Sequence, residues 1–92
     1  MRLVRRRVTF SGRVQGVGFR FTCMAVARGF AVAGYVRNLA DGRVELAAEG
    51  GSSVLDDFLN AIQLEMSAYI TDVTTESLSP GSDPFTGFSI RH

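Results

Sequence analysis

Ninety-two residues leave room for one domain, read here as residues 1–92, and not for a second core or a full dinucleotide-binding fold. Composition is that of an ordinary globular chain, 46% hydrophobic and 21% charged, and ten Lys and Arg against nine Asp and Glu give a net charge of +1. That balance is too even for the broad electrostatic footprint of nucleic-acid or acidic-membrane binding, so any affinity for anions must be local.

The single cysteine, Cys23, has no partner for an internal disulfide, and the arginines of "MRLVRRRVTF" interrupt the apolar stretch a signal peptide needs. A reducing, cytoplasmic location is expected, with no membrane partner. From Val4 to Val14 the apolar residues Val4, Val8, Phe10 and Val14 fall on even positions, with Arg5, Arg7, Thr9, Ser11 and Arg13 on odd ones. This two-residue period predicts a half-buried strand broken only by Arg6, and its arginines read as a solvated face rather than a basic patch.

Phe21, Met24, Ala27 or Ala25, and Phe30 then recur at helical spacing, with Gly29 near a C-cap position. Gly34–Asn38 and Arg43–Glu49 flank Leu39-Ala40-Asp41-Gly42, and Asp-Gly between alternating runs predicts a hairpin whose second arm turns Val44, Leu46 and Ala48 inward before Gly50-Gly51 ends it. Ser53 and Asp56 approximate a capping box, with Asp56 and Asp57 in the first turn of the next helix. The apolar positions Leu55, Phe58, Leu59, Ile62 and Met66 define that helix. Tyr69–Leu78 is rich in β-branched residues, with a bulge expected between Ile70 and Val73. Ser79–Pro84 is a loop by composition, and Phe88–Arg91 a short last strand; whether the tail around 85–91 forms one strand or two is left open. The order β-α-β-β-α-β predicts a ferredoxin-like α+β sandwich, an antiparallel sheet with two helices on one face.

Between the first strand and first helix lies "GRVQGVGFRF". A strand running into Gly16 and Gly18 and then into a helix gathers unpaired backbone N–H groups at a positive helix end, a nest suited to phosphate. Glycine alone allows close backbone approach and φ > 0 there, although a tight turn needing glycine only for shape fits the same residues. Arg20 favours the nest: a cation in a first helical turn opposes the macrodipole, a bound anion would remove the conflict, and its fork can take two phosphate oxygens. The stretch is not a P-loop, which needs Lys-Ser/Thr, nor a dinucleotide fingerprint, which needs a glycine at Phe21.

"GRVQGVGFR" at 12–20 and "GYVRNLADGRVELAAEG" at 34–50, followed by "FLNAI" and the terminal "FSIR", resemble the acylphosphatase family over nearly the whole chain. The resemblance implies metal- and cofactor-free hydrolysis of the carboxyl–phosphate bond in acyl phosphates to a carboxylate and inorganic phosphate. It implies that the backbone from Gln15 through Gly16, Val17, Gly18 and Phe19, together with Arg20, holds the phosphate, and that Asn38 orients the attacking water. Departures are Cys23 where threonine is common, Ala31 in place of a common glycine, and Leu64-Glu65 in place of Gly-Pro, which should lengthen the second helix.

The chain shows no plausible triad, metal cluster or carboxylate pair, and His92, its one histidine, sits at a terminal position where fraying is expected. The implied reaction needs little more. Its leaving group is a carboxylate with a conjugate-acid pKa near ~4, which departs without a general acid. Phosphoryl transfer is catalysed mainly by positioning and charge stabilisation. Two rival classes share the topology: an RNA-recognition module, whose glycine-aromatic octapeptide "QGVGFRFT" partly echoes although that octapeptide belongs on a central strand and this stretch follows the first strand and opens a helix, and a small ligand-sensing domain without catalysis. The expected state is a monomer acting on a small-molecule acyl phosphate, with no nucleic-acid partner.

Overall fold

The alternation that follows Arg2 is realised as β1 (Leu3–Gly12) in a computed structural model of the chain, which describes residues 2–79 and 84–92. Val8 and Phe10 are fully buried on its inner face. There follow α1 (Phe19–Ala27), β2 (Ala33–Asn38), β3 (Val44–Gly51), α2 (Ser52–Glu65), β4 (Ile70–Leu78) and β5 (Phe88–Arg91). The strands lie in the order β4-β1-β3-β2-β5, with β1 antiparallel to β3 and β4, and β2 antiparallel to β3. The expected ferredoxin-like sandwich is therefore present. The tail forms one strand: β5 pairs parallel to β2, and the Phe88 ring meets the Phe58 ring of α2 edge-on at 5.6 Å. The predicted bulge is also there, since Ser11 faces Asp72 while Gly12 faces Ile70, leaving Thr71 as the extra residue. Residues 80–83 of the predicted loop lie outside the described residues.

Inner-face side chains Val8, Phe10, Val36, Val44, Leu46 and Ala48 form one cluster with both helices. From α2 come Leu55, Phe58, Leu59 and Ile62, all buried as their spacing predicts, with Met66 just beyond the helix end. Burying a side chain such as Phe58 contributes about 2–3 kcal/mol. Cys23 is part of this core, where burial pushes its thiol up to about 12, so it stays neutral and behaves as a small hydrophobe. No helix among the described residues is long and apolar enough to cross a membrane.

Three local expectations are corrected. The buried face of α1 is Phe19, Cys23 and Ala27, one turn apart each, whereas Phe21 is 75% exposed. Left-handed Gly18 starts the helix at Phe19, so the stripe is counted from there, and Phe21 lies about 200° round the axis from it. The helix ends at Ala27 with Arg28 in a right-handed conformation, and Gly29 makes no left-handed cap. At α2 the capping box does not form: the helix begins at Ser52, which puts Asp56 and Asp57 in its second turn, and Gly51 caps it without a side-chain hydrogen bond. Asp56 instead accepts from Arg6, whose other terminal nitrogen donates to Ser52 Oγ at 3.1 Å. This explains why Arg6 breaks the period of β1: it faces the helix layer and pairs with the start of α2.

The arginines on the outer face are paired rather than simply solvated. Because β3 is central, its outward residues Glu45, Ala47 and Glu49 are buried as well. Arg5 donates twice to Glu49 (3.0 and 2.7 Å), Arg37 Nε and Tyr35 OH both donate to Glu45 (2.9 and 2.8 Å), and Arg7 pairs with Glu76. Phe85 lies across this face, 4.0 Å from the Arg5 guanidinium and edge-on to Tyr35.

Candidate active site

Sharp geometry marks the end of β1. Gly12 has φ +123°, and a Cβ there would lie 2.2 Å from the Tyr69 carbonyl oxygen, so the chain passes the β4 bulge only as glycine. Arg13 N–H then donates to that same carbonyl at 2.9 Å. Beyond it, apolar side chains anchor the loop from below: Val14 and Phe19 are buried, Val17 packs against the core, and the Phe19 ring rests on Phe10 at 5.0 Å. Between these anchors Gly16 (φ +78°) and Gly18 (φ +77°) are left-handed, and an added Cβ at either would meet nothing within 4 Å. The loop is therefore held at its apolar residues and open at its glycines.

Its amides are open too. Among the described residues, none of the backbone N–H groups from Gln15 to Arg20 donates to a backbone carbonyl, and Gly18 caps α1 with no side-chain hydrogen bond. No acidic residue stands in the first turn of that helix. A cluster of free donors at a helix start is an electropositive point.

Gln15 acts through its side chain as well. Its Nε2 donates to the carbonyls of Leu39 (2.8 Å) and Arg43 (3.0 Å), which ties the loop to the β2–β3 turn. That turn follows directly on Asn38, the last residue of β2, whose carboxamide is exposed and has no hydrogen-bond partner among the described residues. Arg20 is half-buried, with Nη1 3.4 Å from His92 Nδ1. One hollow of about 210 Å³ collects these groups: Val14 and Phe19 beneath, Gly16 and Gly18 alongside, Arg20, Phe21 and Asn38 around it.

Five of the seven sequence-derived positions, Gly16, Gly18, Phe19, Arg20 and Asn38, thus line one hollow; Gln15 instead ties the loop to the β2–β3 turn, and Val17 serves as an anchor between the two glycines. Sequence reasoning missed the strut made by Gln15, the outward turn of Phe21, and the position of His92 beside Arg20. The last follows from β5 pairing parallel to β2, which returns the chain end toward the site; nothing in the local sequence signals it. Among the described residues no three His, Cys, Asp or Glu side chains are grouped to hold a metal ion.

A family model described as acylphosphatase matches residues 6–90. The chain belongs to the acylphosphatase family. It is similar to an acylphosphatase of Bacillus licheniformis, 40% identical over 91 residues that cover 98% of this chain and 100% of the relative. An acylphosphatase of Nostoc sp. is 37% identical over 90 residues, covering 97% of this chain and 87% of that one. Among solved structures, acylphosphatase from Bacillus subtilis superposes with a TM-score of 0.85 at 34% identity, covering 97% of this chain and 99% of its own. The enzyme class expected from the sequence, an acylphosphatase, accordingly stands.

Proposed function

We propose that this acylphosphatase-family chain hydrolyses the carboxyl–phosphate bond of small acyl phosphates, with the phosphate held by the Gln15–Arg20 backbone and the Arg20 guanidinium and the attacking water held by Asn38. The observation that carries this division is the convergence of unbonded amides, one guanidinium and one unpartnered carboxamide on a single hollow. A dianion seated there accepts from several N–H groups at once and relieves the conflict between Arg20 and the positive start of α1.

The chemistry needs no acid or base from the protein. The water oxygen bonds to phosphorus as the bond from phosphorus to the acyl oxygen breaks, and that electron pair leaves on a carboxylate whose conjugate acid has a pKa of roughly 4. The water proton passes to a phosphate oxygen. Charge on the equatorial oxygens is met by preorganised amides and Arg20, while Asn38, able both to donate and to accept, fixes the line of approach. We also take residues 1–92 to act as one domain and a monomer in the cytoplasm. The arginines Arg5, Arg7 and Arg37 of the outer sheet face are matched by carboxylates, which disfavours a nucleic-acid partner there.

The test is release of inorganic phosphate from acetyl phosphate in the presence of a chelator, with a phosphate monoester such as p-nitrophenyl phosphate as comparison. Turnover of the first and near silence on the second is expected; no turnover of acetyl phosphate would favour a binding module.

A further inference from the structure

We infer that Phe21 is the specificity-determining contact for the acyl group and that this enzyme prefers acyl phosphates with an aromatic or large apolar acyl part. The inference rests on the proposed hydrolysis at the same hollow. Phe21 follows directly on Arg20 in the first turn of α1 and borders the hollow together with Arg20 and Asn38. The residue is 75% exposed, on the helix side turned away from the buried stripe of Phe19, Cys23 and Ala27. A water-facing helical position is ordinarily polar. Among the described residues the other exposed large apolar side chains are Leu3 (53%) at the start of β1 and Leu64 (78%) near the end of α2, and neither borders this hollow.

Main-chain donors and a guanidinium read the phosphate and nothing of the acyl group joined to it, so selection among acyl groups falls to the rim. The apolar residues Val14 and Phe19 are buried beneath the hollow, which leaves Phe21 as its one solvent-exposed apolar side chain among the described residues. A phenyl or long alkyl acyl group projecting from a seated phosphate can bury against that ring; a methyl group covers far less of it.

The experiment compares kcat/KM for benzoyl phosphate and acetyl phosphate in the wild type, Phe21→Ala, Phe21→Tyr and Leu64→Ala. Using the benzoyl-to-acetyl ratio cancels effects on phosphate binding common to both substrates. In Phe21→Ala the ratio is expected to fall about tenfold, the size that follows from losing roughly 50 Å² of apolar contact. It should stay within about twofold of wild type in Phe21→Tyr, which keeps the ring, and in Leu64→Ala, an equally exposed residue away from the site. A ratio unmoved by Phe21→Ala, or an equal loss on both substrates, overturns the inference while leaving the hydrolase reading intact. Failure of the wild type to turn over either compound overturns that reading, and this inference with it.

Discussion

Arg20 and Asn38 share one hollow but meet a substrate differently, and the difference is measurable. The guanidinium contributes charge and a two-pronged hydrogen bond to the phosphate, so Arg20→Ala should weaken inhibition by inorganic phosphate and lower kcat/KM together, by roughly two orders of magnitude or more. Asn38 touches the water rather than the anion in this account. Asn38→Ala should therefore lower kcat by a similar factor while the inhibition constant for phosphate changes less than about threefold. Equal loss of phosphate affinity in both variants would remove the assigned division of roles. At this scale the sequence was informative where chemistry is local: the glycines and Arg20 could be named from their types and spacing, whereas Asn38 was named only through the family resemblance. The second role of Gln15 could not, because its partners Leu39 and Arg43 lie 24 and 28 residues away and only the hairpin's position brings their carbonyls within reach.

Between residues and fold, the junction of β1 with the β4 bulge decides where the loop starts. Gly12→Ala places a methyl group against the Tyr69 carbonyl at 2.2 Å in a left-handed backbone and should destabilise the protein by roughly 2–4 kcal/mol. At Gly16 the conformational strain is present without the clash, so Gly16→Ala should lose only about 1–2 kcal/mol. Urea midpoints of the two variants test the ranking, and equal values would mean that the close pass at the bulge is unimportant. The strand pair β2–β3 makes a separate prediction. Burial pushes the Glu45 carboxyl up, but hydrogen bonds from Arg37 and Tyr35 outweigh it and hold the group below the ordinary glutamate range. A depressed folded-state pKa stabilises the fold above the unfolded value, and that contribution is lost as pH falls through the folded value. Thermal midpoints of wild type and Glu45→Gln should thus differ at neutral pH and converge as acid is added below the ordinary glutamate range. A constant gap would show that the pair contributes nothing through ionisation. The elements themselves were legible wherever periodicity was long, as in α2 and β1. Short α1 was placed correctly but rotated, since over nine residues the stripes through Phe21 and through Phe19 are both plausible until Gly18 sets the start.

For the molecule as a whole, the β-α-β-β-α-β order was sufficient to fix the sandwich, and the pairing of the tail was what it lacked. A four-residue strand carries no signal for its partner, and β5 adds at the edge of β2, one of the two edges that the pairing of β1 and β3 leaves open. That placement brings His92 to Arg20 and Phe88 to Phe58. The outer face was misread for a related reason: the central position of β3, which buries Glu45 and Glu49 and calls for arginine partners, is a property of strand order and not of any one strand. Topology also builds the site, since the end of β1, the start of α1 and the β2–β3 turn are far apart in sequence and meet at one end of the sheet. The claim on which the functional account depends is that this meeting point grips a phosphate. Crystals grown with inorganic phosphate test it most directly. The account predicts a tetrahedral anion within hydrogen-bonding distance of the Gln15–Arg20 amides and the Arg20 guanidinium; an empty loop with the anion bound elsewhere, in protein that still hydrolyses acetyl phosphate, would contradict it.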